Sequence, residues 1–459
     1  MWDHQREAVE FARSRKAVMY HMGLGTGKSR CAIEVIEEEE AHMVLILCPL
    51  SVVPAWEKQF RLFAKKDWQM CLLRKGAVKR KTKLLRDSMR EAKAHARPLV
   101  VVVNYESARC SPLAEILMKT PWDVLVCDEI HRLKSPGGKT SLWAAKLSKG
   151  IPKRLGLSGT IMPHDTLDVY AQFRTLCGGD LFGWSFVRFR SRYSVMGGWN
   201  NKERMGDKNL PELRSKMATC TYQAERSVLN LPDAIHQTIE VELSKDAQRI
   251  YSDLSRTLRA QVECGEVTAA NALVRLLRLQ QLTSGVATID GDPPVVVRVD
   301  ESKQGGLSEL IDFLEPDEPL VVFGKFIADL ESVHAAAAKA ERGSLELSGR
   351  RKELEEWQAG KAPILAVQIQ AGGVGVDLTR ASYCVYLSTG FSLGDYEQSL
   401  ARVHRPGQDR TVFYYHLVAA NTVDVQVFHA LRARKDAVEA VLADLASADS
   451  LEPTMKTEK

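Results

Sequence analysis

His21-Met22-Gly23-Leu24-Gly25-Thr26-Gly27-Lys28-Ser29 decides how this chain is read. Residues 16–20 before it carry Ala17, Val18, Met19 and Tyr20, an apolar run of strand length. Residues 30–39 after it place Ala32, Ile33 and Ile36 on one helical face. A strand, a glycine-rich turn ending in Gly-Lys-Ser and a helix start form a phosphate-cradling loop. The glycines let the backbone approach phosphates and offer N–H groups. The helix N-terminus adds the positive end of its dipole, and the lysine reaches the outer phosphates. Gly25, Thr26, Gly27, Lys28 and Ser29 are therefore nucleotide-binding candidates, with Ser29 as a magnesium ligand. Met22 stands where the strict pattern has glycine, so a turn that binds nothing is the alternative.

Outward from this loop, apolar runs at 43–47, 98–103, 123–127 and 154–157 read as strands. They end in Cys48-Pro49, Asn104-Tyr105-Glu106, Asp128-Glu129-Ile130-His131 and Ser158-Gly159-Thr160. Uniformly apolar strands alternating with helices indicate a parallel sheet covered on both faces. Polar residues gather at the strand ends, where such sheets bind ligands. An acidic pair there divides the work of phosphoryl transfer. Asp128 would hold magnesium through water, and Glu129 would orient and deprotonate the attacking water. Ser158 and Thr160 would link the nucleotide to a polymer path, or would only close a local turn. Upstream, Gln5 on an amphipathic helix offers an amide suited to an adenine edge, or lies on that helix's surface.

A second α/β alternation starts at 319. Strands are expected at 319–323, 344–347, 363–368, 383–387 and 411–417, with helices at 326–341, 349–358, 394–403 and 423–444. It carries no second phosphate loop. It has Gly372-Gly373-Val374-Gly375-Val376-Asp377-Leu378 and, later, Gln398-Ser399-Leu400-Ala401-Arg402-Val403-His404-Arg405-Pro406-Gly407-Gln408. On a helix, Gln398, Arg402 and Arg405 are spaced i, i+4, i+7 and share one face. Two arginines projecting together would serve as arginine fingers on a transferring phosphate, or as members of a salt-bridged surface helix.

The size and composition fit this plan. A chain of 459 residues implies about two or three domains. With 45% hydrophobic and 26% charged residues it has a globular composition. No apolar run reaches the ~20 residues that span a bilayer, and the charged N-terminus is unlike a signal peptide. Nine cysteines without a Cys-x-x-Cys pair, several inside apolar runs (Cys48, Cys127, Cys384), read as reduced core residues of an intracellular protein. Net charge is only +5, yet 74–97 holds ten basic residues against Asp87 and Glu91. That stretch is a surface for phosphate backbones or simply a solvated helix. Between 172 and 232, Phe182, Trp184, Phe186, Phe189, Tyr193 and Trp199 interleave with Arg188, Arg190, Arg192, Lys202 and Arg204. They would stack bases and contact phosphates, or pack a small protrusion onto the sheet.

These pieces, in this order, resemble the superfamily-two helicases and, within them, the Snf-type family of DNA translocases. The resemblance runs from residue 1 to about 445. Gln5 looks like the adenine-reading glutamine, Gly25 to Ser29 like motif I, and Asp128 to His131 like the D-E-x-H box. Leu157-Ser158-Gly159-Thr160 is similar to motif III, and Gly372-Gly373-Val374-Gly375 to motif V. The pattern Q-x-x-x-R-x-H-R-x-G-Q, from Gln398 to Gln408, is the most specific feature. Asn209-Leu210-Pro211-Glu212-Leu213, Leu231-Pro232 and Asn421-Thr422-Val423-Asp424 are further echoes.

The resemblance implies an α/β fold of two RecA-like parallel-sheet lobes with small helical insertions. The first lobe would be 1–232, with a protrusion at 172–232. The second would be 233–446, with a helical insertion at 245–285 and a linker at 285–306; a disordered tail would cover 447–459. It implies an ATPase that moves along double-stranded DNA with ATP and magnesium. Lys28, Asp128, Glu129, Arg402 and Arg405 would do the chemistry, and Gln5, Gly375, Asp377 and Gln398 would line the nucleotide. Pro49, Asn104, Ser158, Thr160 and Gly373 would face the DNA track. A monomer with no membrane partner is expected, cytoplasmic in a bacterial or virus-infected cell and nuclear in a eukaryote. Met22 and Gly23 stand where the family has Asp-Glu, Asp377 where it has Asn, and no chromatin-reading or zinc module flanks the core. These departures point to a minimal, viral or bacterial, member. Alternatives are a helicase that separates DNA or RNA strands, single-stranded DNA as the track, a nucleotide-gated scaffold without catalysis, and the motor subunit of a nuclease.

Overall fold

The computed structural model describes residues 1–162, 166–197, 203–263, 269–289, 295–370 and 376–433. Gly373, Gly375, Trp199, Lys202, the end of the 423–444 helix and the 447–459 tail lie outside the described residues. Contacts divide the chain into two compact units, Met1–Asn230 and Leu231–Lys459. Each is built on its own parallel sheet, and the two are RecA-like lobes.

In the first unit the strands are β1 (Ala17–Met22), β2 (Met43–Cys48), β3 (Gln69–Leu73), β4 (Leu99–Asn104), β5 (Val124–Asp128) and β6 (Lys153–Ser158). Next come β7 (Ser194–Gly197), β8 (Glu203–Asp207) and β9 (Thr221–Ala224). The sheet order is β3-β4-β2-β5-β6-β1-β9, parallel throughout. All six residues of β4 and five of six in β2 are buried. Helices cover both faces of such strands, and each buried Val, Leu or Ile contributes about 1.5–3 kcal/mol. The helices α1 (Asp3–Arg13), α2 (Lys28–Glu38), α3 (Val53–Phe63) and α4 (Val78–Ala94) follow this logic. In α4, Lys81, Thr82, Leu85, Ser88 and Ala92 are the buried side.

The edge strands β3 and β9 are absent from the sequence reading. The 172–232 protrusion takes the packing alternative. Phe182 stacks on Phe173, Phe189 and Tyr193, and Tyr170 on Phe186 and Phe189, with ring centroids 4.9–6.1 Å apart around Phe182. Arg192 pairs with Glu212. A core of aromatics gains more from burial here than from waiting for a base. Trp184 alone of these rings is largely exposed, with Lys149 Nζ 4.5 Å above it.

The second unit carries β10 (Ala234–Val241), β11 (Val286–Ile289), β12 (Val295–Arg298), β13 (Leu320–Gly324), β14 (Ser344–Leu347), β15 (Ile364–Gln368), β16 (Tyr383–Tyr386) and β17 (Val412–Ala419). Its sheet is β10-β17-β16-β13-β15-β14, also parallel. One core lies on each face, around Phe323, Trp357 and Tyr386 on one side and Leu330, Val333 and Ile311 on the other.

The sequence reading is corrected at three places. The expected linker at 285–306 is an antiparallel pair, β11 with β12, followed by the helix Ser302–Phe313. Gly285 links the preceding helix, Ala269–Thr283, to β11. Its φ is +84°, and a Cβ there would meet Asp300 O at 2.2 Å. The helix expected from 349 begins only at Leu354, because Leu347 first bridges to Lys352. The helix carrying Gln398 and Arg402 spans Leu393–Val403, so Arg405 lies beyond it rather than at i+7 on its face. Pro406 follows, and a residue before proline is disfavoured in the α conformation.

Candidate functional site

In the first unit, β1 feeds the glycine loop and α2 leaves it. Gly25 and Gly27 have φ of +84° and +88°, a backbone that other residues adopt at a cost. A Cβ on Gly27 would meet Gln5 Nε2 at 2.3 Å, so α1 lies directly against the loop. Gln5 Nε2 donates to Thr26 O at 3.0 Å, and His4 Nε2 is 2.9 Å from the same oxygen. Gln5 Oε1 accepts from Trp2 N at 3.1 Å, so both ends of this amide hold backbone. Thr26 Oγ1 donates to Gly23 O at 2.7 Å. Lys28 Nζ donates to Met22 O at 2.9 Å and Gly23 O at 3.0 Å. Burial draws the Lys28 pKa down, against the pull of Glu129 and Asp128.

Asp128 and Glu129 sit at the end of β5, both about 6% exposed. Asp128 Oδ2 accepts from Trp56 Nε1 at 3.0 Å, and Oδ1 accepts from Glu129 N at 3.0 Å. Tyr105 OH donates to Asp128 O at 2.8 Å. Burial, and then the neighbouring Glu129 charge, push the Asp128 carboxyl well above the usual carboxylate range. Glu129 adopts φ +49°, ψ +51°, the left-handed region, which costs about 1–2 kcal/mol for a residue with a side chain. Such strain collects at functional positions. The Glu129 carboxylate lies 3.4 Å from His131 Nδ1, which is 3.0 Å from Ser158 Oγ. Ser158 Oγ also donates to Thr160 O at 2.8 Å. Burial draws the His131 pKa down. The ends of β5 and β6 are thus one hydrogen-bonded unit.

Two features make this pocket fit a magnesium–nucleotide. The α2 N-terminus has no side-chain cap and no acidic residue in its first turn, so its free N–H groups suit an anion. Burial and mutual repulsion make ionisation of the acid pair costly, a cost that a divalent cation relieves. Ser29 stands in the first turn of α2 on the same loop.

The strand-end residues expected on a polymer track are mostly enclosed. Pro49, Asn104 and Ser158 are buried, and Thr160 is half-buried. Asn104 Oδ1 accepts from Lys81 Nζ at 3.2 Å, and its Nδ2 donates to Glu106 Oε2 at 2.8 Å. Lys81 comes from the basic stretch, but it points inward. The exposed members form a stripe on α4: Lys79, Lys83, Arg86, Arg90 and Lys93. Their spacing of i, i+4, i+7, i+11, i+14 runs along about 21 Å of helix.

In the second unit, Asp377 Oδ1 accepts from Thr379 N at 3.0 Å and Thr379 Oγ1 at 2.8 Å, closing its own turn. Leu378 N donates to Arg402 O at 3.1 Å, and Arg405 Nη1 donates to Val376 O at 3.2 Å. Gln398 and Arg402 share the helix Leu393–Val403 and are half-buried. Two residues of the Gln398–Gln408 pattern are structural clips. His404 Nε2 lies 2.6 Å from Pro232 O, and Gln408 Nε2 donates to Ala381 O at 2.8 Å and Thr379 O at 3.2 Å.

Sequence reasoning missed Trp56, Tyr105 and His4. Trp56 read as one of the apolar residues of its helix, Tyr105 as part of a strand end and His4 as part of an amphipathic helix, and only their polar atoms show the second role. The signal for Trp56 was weak but present. It follows Pro49 on the helix beside β2, facing the strand that ends in Asp128.

A nucleotide loop beside a buried acid pair, on the first of two parallel-sheet units, defines a phosphate-loop protein of the two-lobed motor type. A model of the SNF2-related domain matches residues 4–285, and one of the helicase conserved C-terminal domain matches residues 304–407. The chain belongs to the SNF2-related family. Putative protein p41 of Acyrthosiphon pisum secondary endosymbiont phage 1 is 25% identical to it over 449 residues, covering 92% of this chain and 93% of that one. The DNA repair and recombination protein RAD54-like of Drosophila ananassae is 22% identical, covering 92% and 60%. Its Homo sapiens counterpart is 21% identical, covering 96% and 66%. The chain therefore spans about 60% of the Drosophila relative's length. Among solved structures, the Sulfolobus solfataricus SWI2/SNF2 ATPase core in complex with dsDNA matches at 18% identity. Its TM-score is 0.43, over 98% of this chain and 94% of that one. Among the described residues no helix is long and apolar enough to cross a membrane.

Proposed function

We propose that the chain hydrolyses ATP to move along double-stranded DNA. The observation that carries this reading is the joining of Lys28, the uncapped start of α2 and the Asp128–Glu129 pair at the ends of β1 and β5, the two strands that flank β6, in a SNF2-related chain. Gly25, Thr26, Gly27 and Lys28 bind the phosphates, with Gln5 bracing the loop or, after releasing it, reading the base. Ser29 and Asp128 are the magnesium ligands; the ion neutralises charge between the outer phosphates when bound. Glu129, held in a strained backbone and oriented by His131, takes the proton of the attacking water. Arg402 and Arg405 of the second unit stabilise charge on the transferring phosphate, and Gln398 and Asp377 line the nucleotide; Gly375, expected there too, lies outside the described residues.

DNA as the track is supported by the RAD54-like relatives, which are DNA repair and recombination proteins. The exposed basic stripe of α4 supplies a phosphate-binding surface, whereas Pro49, Asn104 and Ser158 are buried. The test is the ATPase rate against duplex DNA, single-stranded DNA and RNA. Duplex DNA is expected to stimulate most; no stimulation by any of them overturns the reading. The double substitution Lys83→Glu with Arg90→Glu should raise the DNA concentration for half-stimulation. It should also flatten the salt dependence by about two phosphate contacts.

A further inference from the structure

Cys177 ends the helix Val169–Cys177, and Cys220 immediately precedes β9. They are 43 residues apart, on either side of the protrusion, yet their sulfurs are 3.7 Å apart. Cys177 is half-buried and Cys220 is 8% exposed. Cys220 belongs to the hydrophobic core of the first unit and Cys177 packs against that core, so the contact lies at its margin.

The surroundings of the pair are cationic. Arg15 Nε donates to Thr219 O at 3.0 Å, and its charge favours the Cys220 thiolate. Arg154 lies against Cys177, and its buried Nε has no hydrogen-bond partner among the described residues. Cys177 donates its thiol proton to Cys220. That holds the Cys177 pKa up and draws the Cys220 pKa down. Two sulfurs in contact, one of them on the half-buried Cys177, beside two guanidinium groups form a geometry suited to thiol oxidation.

We propose that Cys177 and Cys220 form a modification site at which a hydroperoxide installs an intramolecular disulfide. The Cys220 thiolate attacks one peroxide oxygen, the O–O bond breaks, and the leaving hydroxide takes a proton to become water. The resulting sulfenic acid on Cys220 is then attacked by the Cys177 sulfur, which gives up its proton. The S–S bond forms, the S–O bond breaks, and a second water leaves. Two electrons pass from the two thiols to the peroxide.

The bond closes the base of the 178–219 excursion and ties β9 to the helix under the sheet. β9 pairs with β1 up to Met22↔Ala224, and Gly23 N donates to Ala224 O at 2.9 Å, so the clasp bears on the strand that enters the glycine loop.

The test treats the full chain with a small excess of hydrogen peroxide, alkylates the remaining thiols and maps peptides without reduction. Cys110, half-buried and without a sulfur neighbour, is the internal control. The expected result is a cross-link between the peptides of Cys177 and Cys220 that dithiothreitol removes. It should form at least ~10-fold faster than Cys110 oxidises. In Cys177→Ser the cross-link should vanish and a sulfenic acid on Cys220 should be trapped by a dione reagent. The proposal is overturned if both thiols remain alkylatable while Cys110 oxidises. It is overturned equally if Cys220 proceeds to sulfinic acid in the native chain without cross-linking.

Discussion

The two sheets treat the charges at their strand ends differently. In the second unit, a buried ion pair is matched and other charges rest on neutral hydrogen-bond partners. Lys303 Nζ donates to Leu387 O at 2.6 Å and pairs with Asp424, whose Oδ1 accepts from Thr283 Oγ1 at 2.8 Å. Asp329 accepts from Phe326 N at 2.8 Å and from Ser388 Oγ at 2.5 Å. Lys325 Nζ donates to Gln280 Oε1 at 2.7 Å. In the first unit, Lys28 rests on carbonyls of its own loop, and the Asp128–Glu129 pair repels itself. The first unit thus keeps two like charges side by side where the second pairs Lys303 with Asp424, and groups perturbed in that way are candidates for chemistry. Substitutions at the two sheets should therefore separate, with rate changing at one and stability at the other.

The largest effect is expected where this division is blurred, at the arginines. Arg402→Ala should lower turnover by roughly 10³–10⁵ if it meets the transferring phosphate. Arg405 also donates to Val376 O, so Arg405→Ala should lose activity and some stability together. Steady-state ATPase assays beside thermal melts would show it. Normal turnover in both variants would remove the arginines from the mechanism.

Glu129→Gln comes next. It keeps the shape of the site and removes the base, so kcat should fall roughly 10²–10⁴-fold while nucleotide binding persists. Binding of a fluorescent nucleotide and single-turnover hydrolysis test the two halves separately. A near-normal kcat would place the base elsewhere.

At the compensated sheet the reading reverses. Lys303→Met leaves Asp424 buried without its cation and should cost about 3–5 kcal/mol of stability in the second unit. Denaturant unfolding measures it. The variant that does fold should bind nucleotide normally; weakened binding with unchanged stability would contradict the assignment of roles.

The contrast between the sheets also explains what could be read in advance. Both parallel sheets, the glycine loop and the acid pair were legible, because β2, β4 and β5 are continuous apolar runs and the loop is a short local pattern. The edge strands β3 and β9 were not. Thr221–Ala224 is four residues of mixed polarity, and its strand character comes from pairing with β1, some 200 residues away in sequence. Asn104 read as a surface contact because nothing nearby in sequence indicates Lys81, which reaches it from α4. Arg405 read as helical because periodicity was extended past Val403 to the residue before Pro406. The local motifs were visible, whereas the partners that tertiary folding supplies were not.

The smallest expected effect separates the units by acid. Glu346 lies buried in β14. Burial pushes its carboxyl up, but Arg350, Ser348 and His334 outweigh this and hold it at about 2, below the ordinary 4.5. Arg350 Nε donates to its Oε1 at 2.9 Å. A carboxyl with a depressed folded pKa binds fewer protons folded than unfolded. Its contribution is complete above about 4.5 and is lost as pH falls toward 2. Asp128 has the opposite sign, because its raised pKa makes the folded first unit the better proton binder, so its contribution is lost as pH rises. Acidification should thus weaken the second unit while it relieves the repulsion in the first. Glu346→Gln should flatten the acid limb of unfolding in the second unit, its stability meeting that of the native chain near pH 2. Hydrogen exchange followed unit by unit between pH 5 and 2 reads this directly. Equal losses in the two units, with no change in Glu346→Gln, would show that the matched charges of the second sheet are not what acid removes.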